Sequence, residues 1–174
     1  MKQIVIVCLI AILASCTSNS QNEKSKEESI QQENIALVEK YIKAVQDKDV
    51  KAMSDMLADN YIGYGPSFND SIDKAGAVAS WTNLSQNFYE KIEYRKSINV
   101  AATVNDAYHP GNFVSNFAHL VIKFKDGKGP IEIFANTSYR IENGKITLSR
   151  TIYNEADALR QLGYKIVAPE QATN

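Results

Sequence analysis

The chain has 174 residues, 44% of them hydrophobic, and its 19 basic and 20 acidic side chains leave a formal net charge of −1. This length suits one domain with a substantial core and is too short for two domains of ordinary size. The near balance of charge argues against nucleic acid as a partner, because binding to a phosphate backbone needs a surplus of lysine and arginine.

The first predicted element is a secretory signal peptide over residues 1–15. Lys2 supplies a positive charge, residues 4–13 are nearly all aliphatic, and small residues follow them. This apolar run is about half of the roughly twenty residues that a membrane-spanning helix needs. We therefore expect no retained transmembrane anchor.

The end of this signal, Leu13-Ala14-Ser15-Cys16, resembles the lipobox of bacterial lipoproteins. The resemblance implies cleavage before Cys16, lipidation of its sulfur, and attachment to a bacterial membrane, which we expect to be the outer membrane on its periplasmic side. The alternative is an ordinary signal peptide cleaved after Ala14 or Ser15, with Cys16 a free thiol. With Cys8 removed and Cys16 lipidated, no thiol is left for a disulfide, a nucleophile or a metal site.

Residues 16–33 are predicted to be the lipidated cysteine followed by a flexible polar linker. Between residues 17 and 33 the only aliphatic side chain is that of Ile30. Such a segment cannot bury enough apolar surface to offset the entropy of an ordered chain. As a random coil it would reach about 20 Å.

Three helices are predicted at the start of the domain, which we place at residues 34–164 and before a tail at 165–174. Asn34 can cap the first helix, whose apolar residues recur at three- and four-residue spacing. Asp49 can cap a second, shorter helix. A third helix, about 72–86, contains Trp81, and a short strand before it ends at the Gly-Pro pair at 65–66.

Four long strands and a closing helix complete the predicted elements. In residues 91–104 the even positions are mostly apolar, which predicts a half-buried strand with those positions facing inward. Further strands are predicted at about 113–125, 131–142 and 145–153, and the Asn-Gly pair at 143–144 suits a tight hairpin. A helix is predicted over 155–162. This order indicates an α+β fold, with three N-terminal helices on one face of a curved antiparallel sheet that encloses a hollow.

The order and spacing of these segments resemble the nuclear-transport-factor-2-like superfamily, and within it the SnoaL-like relatives of polyketide cyclases and ketosteroid isomerases. The resemblance rests on residues 41–66, on Trp81, on ENGKIT at 142–147 and on IYNEADALRQLGY at 152–164. It implies a cone-shaped pocket and often a dimer through the sheet. The superfamily holds isomerases, cyclases and dehydratases as well as binding modules and dimerisation domains, so the site must decide the function.

The resemblance also implies an acidic residue about seven positions before QLG in SnoaL-like enzymes, where this chain has Asn154. An amide cannot act as a base at neutral pH. We therefore predict a protein that binds a small apolar or amphipathic ligand without a cofactor, and we name no catalytic residue. Two alternatives stay open: an isomerase or cyclase that uses Glu155 or Asp157 as its base, and a scaffold for dimerisation or partner binding.

The candidate site residues follow from strand parity and from the resemblance. If Asn154 faces the pocket, alternation along the strand sends Arg150 inward as well. A guanidinium there would favour an acidic ligand, which it can hold with two parallel hydrogen bonds. The alternative is that Arg150 pairs with Glu155 or Asp157 as part of the structure, or lies near the rim of the pocket. The candidate ligand-binding residues are Tyr64, Trp81, Asn116, Tyr139, Arg150 and Asn154, of which the aromatic and amide side chains are also compatible with core packing.

The outer face of the sheet is predicted to be a partner surface. By the same alternation it carries Phe117, Phe134 and Tyr153 among polar residues. Exposed aromatic side chains on a sheet indicate a protein contact, so we expect a homodimer. His109 and His119 have no matched carboxylate spacing, so no metal site is predicted.

Overall fold

A computed structural model describes residues 2–165 and 167 of the chain, with side chains described from residue 22 onward. Helices and strands follow the order expected for an α+β fold. The helices are α1 (Lys2–Asp47), α2 (Val50–Met56), α3 (Lys74–Asn83), which continues into one π-helical turn (Leu84–Phe88), and α4 (Glu155–Gln161). The strands are β1 (Leu57–Tyr64), β2 (Ser71–Asp73), β3 (Tyr89–Val104), β4 (Gly111–Phe124), β5 (Ile131–Glu142) and β6 (Lys145–Tyr153).

The sheet contains six described strands in the order β2-β1-β6-β5-β4-β3. Strands β3 to β6 form the predicted antiparallel meander, but β1 lies parallel to β6. The expectation of a fully antiparallel sheet is therefore wrong. The parallel pair joins β1, which follows α2 directly, to the last strand of the sheet. The paired residues are about ninety positions apart in the sequence, so local patterns do not encode this pairing.

Helix α1 is continuous through the segment that was predicted to be a coil. Asn34 is not its cap and lies buried within it. Residues 22–33 are rich in Glu, Lys and Gln and contain no Gly or Pro, so a helix that is packed at its C-terminal part can extend through them at little cost. Their side chains are mostly exposed, as the lack of apolar residues implies.

Several expectations about the termini stay predictions. The side chain of Cys16 lies outside the described side chains, and positions 166 and 168–174 of the tail lie outside the described residues. Within the described part of the chain, no helix is both long enough and apolar enough to cross a membrane.

The core lies between the C-terminal part of α1 and the inner face of the sheet. Val38 and Val45 of α1 are buried against it, together with Met53 of α2 and Ile146 of β6. Helix α2 begins where the sequence predicted, because the side chain of Asp49 accepts a hydrogen bond from the Ala52 amide at 2.9 Å.

A bulge in β3 reverses which side chains face inward. The pairing with β4 shifts between Arg95 and Ile98, and Lys96 has a φ of 48°. Before the bulge Ile92 is buried, whereas after it Ile98 and Val100 are 61% and 53% exposed. The prediction that even positions face inward along the whole strand is therefore wrong after residue 95, because one extra residue exchanges the two faces.

A second bulge, in β6, also exchanges the inward-facing and outward-facing side chains of its strand. Ile141 pairs with Ile146, but Arg140 pairs with Leu148, which leaves Thr147 as an extra residue. Ile146 therefore points into the core, and Ile152 is 57% exposed on the outer face.

Candidate functional site

The candidate site is a cavity of about 510 Å³ between the inner face of the sheet and helices α1, α3 and α4. Its walls come from the aromatic and aliphatic side chains of every long strand. Two other hollows, of about 450 and 550 Å³, lie beside Lys74; the first is lined mostly by polar residues, and the second is more open and is lined by six residues of α2, β1, β2 and α3. The central cavity is the candidate because small-molecule sites are concave and mainly apolar.

Tyrosine dominates the cavity wall. The rings of Tyr41 and Tyr139 meet edge to face with their centres 5.8 Å apart, and those of Tyr89 and Phe124 do so at 5.6 Å. Such pairs fix the ring orientations by packing. Of the nine tyrosines in the chain, seven line the cavity: Tyr41, Tyr61, Tyr64, Tyr89, Tyr94, Tyr139 and Tyr153.

The buried phenols Tyr41, Tyr94 and Tyr139 stay protonated in ordinary conditions. Burial raises the pKa of Tyr94 to about 12 and raises the pKa values of Tyr41 and Tyr139 well above the ordinary range. Burial disfavours the charged phenolate, so the hydroxyls act as hydrogen-bonding groups and not as bases. The wall is therefore uncharged as well as aromatic.

Hydroxyl groups form a polar strip on the floor of the cavity. The Tyr61 hydroxyl and Ser149 Oγ are 2.6 Å apart, and Thr137 Oγ1 and Thr151 Oγ1 are 3.0 Å apart. The Tyr94 hydroxyl has no hydrogen-bond partner among the described side chains. The polar group of a bound molecule could therefore hydrogen-bond with these hydroxyls, while its apolar part contacts the aromatic rings and aliphatic side chains of the wall.

Two carboxylates, Asp70 and Glu155, are the only charged groups among the described residues that line the cavity. Both lie close enough to Tyr153 to raise its pKa, after burial, which is the larger cause. The Asp70 carboxylate packs over Gly65, where an added Cβ would lie 1.9 Å from Asp70 Oδ2. Neither carboxylate forms an ion pair with a described residue. The mouth of the cavity is thus acidic.

Three of the predicted site residues line this cavity: Tyr64, Trp81 and Tyr139. Trp81 lies in the same wall as Tyr41. Whether any of the three contacts a ligand stays a prediction.

Arg150 does not line the cavity, and the expectation that it points inward is wrong. Its guanidinium carbon lies 4.4 Å from the centre of the Tyr64 ring, on the neighbouring strand. The bulge at Thr147 is the cause, because it exchanges the faces of the last residues of β6. Among the described residues Arg150 has no ion pair with Glu155 or Asp157, so the alternative pairing is not found either.

Asn154 and Asn116 have structural partners outside the cavity. The Asn154 side chain caps α4 by accepting a hydrogen bond from the Asp157 amide at 3.0 Å. Asn116 is 2% exposed, and its amide donates to Ser97 Oγ at 2.7 Å and to Asn99 Oδ1 at 2.8 Å. Neither residue is part of the cavity lining. Asn116 lies on the inner face of the sheet, since it is paired with the cavity-lining Thr137, and its contact with a ligand stays a prediction. The expectation that Asn154 faces the pocket is wrong.

The sequence reasoning also misplaced Tyr153, which lines the cavity and does not lie on the outer face. It overlooked Tyr61, Tyr94 and Ser149. The tyrosine content was the available signal, since tyrosine is the most numerous aromatic residue, with nine tyrosines, six phenylalanines and one tryptophan. In the part of the chain that is described, no group of three or more His, Cys, Asp and Glu side chains could hold a metal ion.

Comparison with known proteins gives matches among solved structures. No family model and no curated protein matches the chain. A putative polyketide cyclase of Xanthomonas campestris is 17% identical, with 76% of this chain and 98% of that chain covered and a TM-score of 0.58. A protein of Catenulispora acidiphila with a ketosteroid isomerase-like fold, in complex with trimethylamine, is 16% identical, with 74% and 93% covered and a TM-score of 0.58.

A third structure, a protein of Burkholderia xenovorans described as nuclear-transport-factor-2-like, is 16% identical, with 76% of this chain and 97% of that chain covered and a TM-score of 0.58. Identities this low show a shared fold and carry no residue roles. The aligned part covers nearly the whole length of each of these proteins.

Proposed function

Since this chain has the nuclear-transport-factor-2-like fold, we propose that it binds a small apolar or amphipathic molecule in its central cavity. The observation that carries the proposal is the tyrosine-lined cavity, whose volume of about 510 Å³ lies in the range of small-molecule sites. Rigid aromatic side chains give a ligand a large contact area at a low entropic cost. The hydroxyl strip of Tyr61, Ser149, Thr137 and Thr151 supplies the few polar contacts that orient a ligand.

The proposal does not include an acidic ligand. That idea depended on Arg150, which lies outside the cavity lining, and the two charges that line the cavity are both carboxylates. An anion that enters the cavity would be repelled by Asp70 and Glu155, both of which are exposed residues that line it.

The only tryptophan of the chain, Trp81, lies in the cavity wall and provides a test. Titration with decanol, a neutral amphiphile, should change Trp81 fluorescence in a saturable way. Thr137→Phe should block binding because this side chain lines the cavity, whereas Ser138→Phe, on the neighbouring residue with the opposite facing, should not. The absence of saturation in the parent protein, or equal effects of both variants, would contradict the proposal.

One observation favours a second candidate function, isomerase- or cyclase-like proton transfer. Glu155 lines the cavity, and a carboxylate there could reach a carbon acid of a bound ketone. The other candidate base, Asp157, is not in the lining and bonds with Arg160 at 3.2 Å and with Gln161 at 2.8 Å. Exchange of the α-protons of 2-decanone in D₂O, followed by NMR, should be faster with the parent protein than with Glu155→Gln. Equal rates would rule this candidate out.

We also propose that the protein is a homodimer through the outer face of the sheet. Phe134 is 82% exposed there, and Phe117, Ile98, Val100 and Ile152 are exposed beside it. So many exposed apolar side chains on one sheet face, although polar residues such as Asn136 and Ser115 lie among them, favour a protein contact. Light scattering should give a dimer mass for the parent protein and a monomer mass for Phe134→Asp. A monomeric parent at all concentrations would contradict the proposal.

A lipid on Cys16 is proposed as the membrane anchor, at the outer membrane facing the periplasm, on the strength of the lipobox resemblance alone. The helical residues 22–33 would then act as a spacer of about 18 Å, at 1.5 Å per residue. The parent protein should partition with membranes, and Cys16→Ala should be released or stay unprocessed. Identical partition of the two forms would overturn this proposal.

A further inference from the structure

The mouth of the cavity is built to hold negative charge in place. A turn positions Asp70, since the Asp70 amide donates to Ser67 O and the Gly65 amide donates to Asp70 O, both at 3.2 Å. Its carboxylate packs over Gly65 in space that a Cβ would occupy. Glu155, the first residue of α4, brings the second carboxylate to the same cavity.

No cationic side chain among the described residues compensates these two carboxylates within the cavity. The guanidinium of Arg150 is engaged with the Tyr64 ring at 4.4 Å, and Lys74 pairs with Asp59 at 3.0 Å beside a different hollow. Because low-dielectric walls focus the field of charges at a cleft, uncompensated carboxylates here attract a cation and repel an anion.

The aromatic wall acts in the same direction. The faces of tyrosine and tryptophan rings carry a negative electrostatic potential, which attracts ammonium groups within about 6 Å of the ring centre. Burial keeps the phenols neutral, as the pKa of about 12 for Tyr94 indicates, so the wall attracts a cation without supplying a formal countercharge. Trp81 and Tyr153 contribute to this wall.

From this arrangement we infer that the ligand is a cationic amphiphile. Its alkyl or aromatic body lies against aliphatic side chains such as Leu120 and Ile133, and its amine or quaternary ammonium group lies at the mouth near Asp70 and Glu155. The inference rests on the proposed ligand-binding function and specifies the chemical class of the ligand.

Three probes with the same alkyl chain separate the contribution of head-group charge to binding from that of apolar contact. They are decyltrimethylammonium, decanol and decanoate, each titrated into the full chain at pH 8. Trp81 fluorescence and calorimetry measure binding. The cation should bind at least about tenfold more tightly than decanol, which corresponds to about 1.4 kcal/mol, and decanoate should bind most weakly.

The double variant Asp70→Asn/Glu155→Gln should bind decyltrimethylammonium at least about tenfold more weakly than the parent protein. A matched control, Glu90→Gln/Asp106→Asn, removes two exposed carboxylates that do not line the cavity and should leave cation binding unchanged. Higher salt should reduce the preference for the cation.

The possible failures are distinguishable. Binding of decanol that is as tight as that of the cation, or tighter binding of decanoate, would overturn the inference and leave the proposed function standing. Equal loss of cation binding in both double variants would also overturn it, because net charge and not the cavity mouth would then be responsible. If none of the three probes binds, the proposed function fails together with the inference.

Discussion

The two isoleucines of β6 provide a direct test of the bulge that reshapes the site. Ile146 and Ile152 are six positions apart, so simple alternation places them on the same face. In the structure Ile146 is fully buried in the core, and Ile152 is 57% exposed on the opposite face. Truncation of each to alanine should therefore have very different effects on the free energy of unfolding.

The expected cost at position 146 follows from its burial. Ile146→Ala removes three carbon atoms, worth about 2.4 kcal/mol of transfer free energy, and the cavity that remains raises the total to about 4 kcal/mol. At position 152 the side chain already contacts water, so Ile152→Ala should cost less than about 1 kcal/mol. The first cost is a large part of a typical domain stability of about 5–15 kcal/mol.

Urea unfolding, followed by far-ultraviolet circular dichroism and by Trp81 fluorescence, measures both costs. With a slope of about 2 kcal/mol per molar, Ile146→Ala should lower the midpoint by about 2 M, and Ile152→Ala by less than about 0.5 M. A cost at position 152 that grows with protein concentration would reflect the proposed dimer face. A concentration-independent cost at position 152 equal to that at position 146 would refute the placement of the bulge.

Three other substitutions test roles that the structure assigns. Asn154→Ala should destabilise α4 by about 1 kcal/mol and speed amide exchange in that helix, whereas Asn154→Asp should preserve the cap and the exchange rates. Asn116→Ala should lower the free energy of unfolding by about 2 kcal/mol in urea titrations, because two side-chain hydrogen bonds are lost at a buried site. Burial raises the pKa of Tyr94 to about 12 in the folded protein, above its unfolded value of about 10. The resulting contribution to stability is complete below about pH 10 and is lost as the pH rises towards about 12. Tyr94→Phe removes this titration, so alkaline unfolding, followed by absorbance at about 295 nm, should move to higher pH.

Local patterns in the sequence determined most of the elements. The predicted limits of β5 and β6 match those in the structure, with Asn143 and Gly144 at the turn between them, both at positive φ. Asp49 caps α2 as predicted. These features depend on neighbouring residues, since turn chemistry, capping and side-chain alternation act over a few positions. The fold resemblance rested on their order and is confirmed by the structural matches.

The orientation of the site residues depended on tertiary structure. Arg150 and Tyr153 exchanged their expected faces because one extra residue at Thr147 shifts β6 against β5, and the partner strand defines that shift. Tertiary structure also decided the conformation of the segment before Asn34. This segment has no apolar face of its own, and it is helical because it continues the packed helix that follows it. Composition and alternation describe each residue's preference, but cross-strand register determines which side of the sheet it occupies. In this protein that register turns Tyr139 and Tyr153 towards the cavity and leaves the guanidinium of Arg150 outside it.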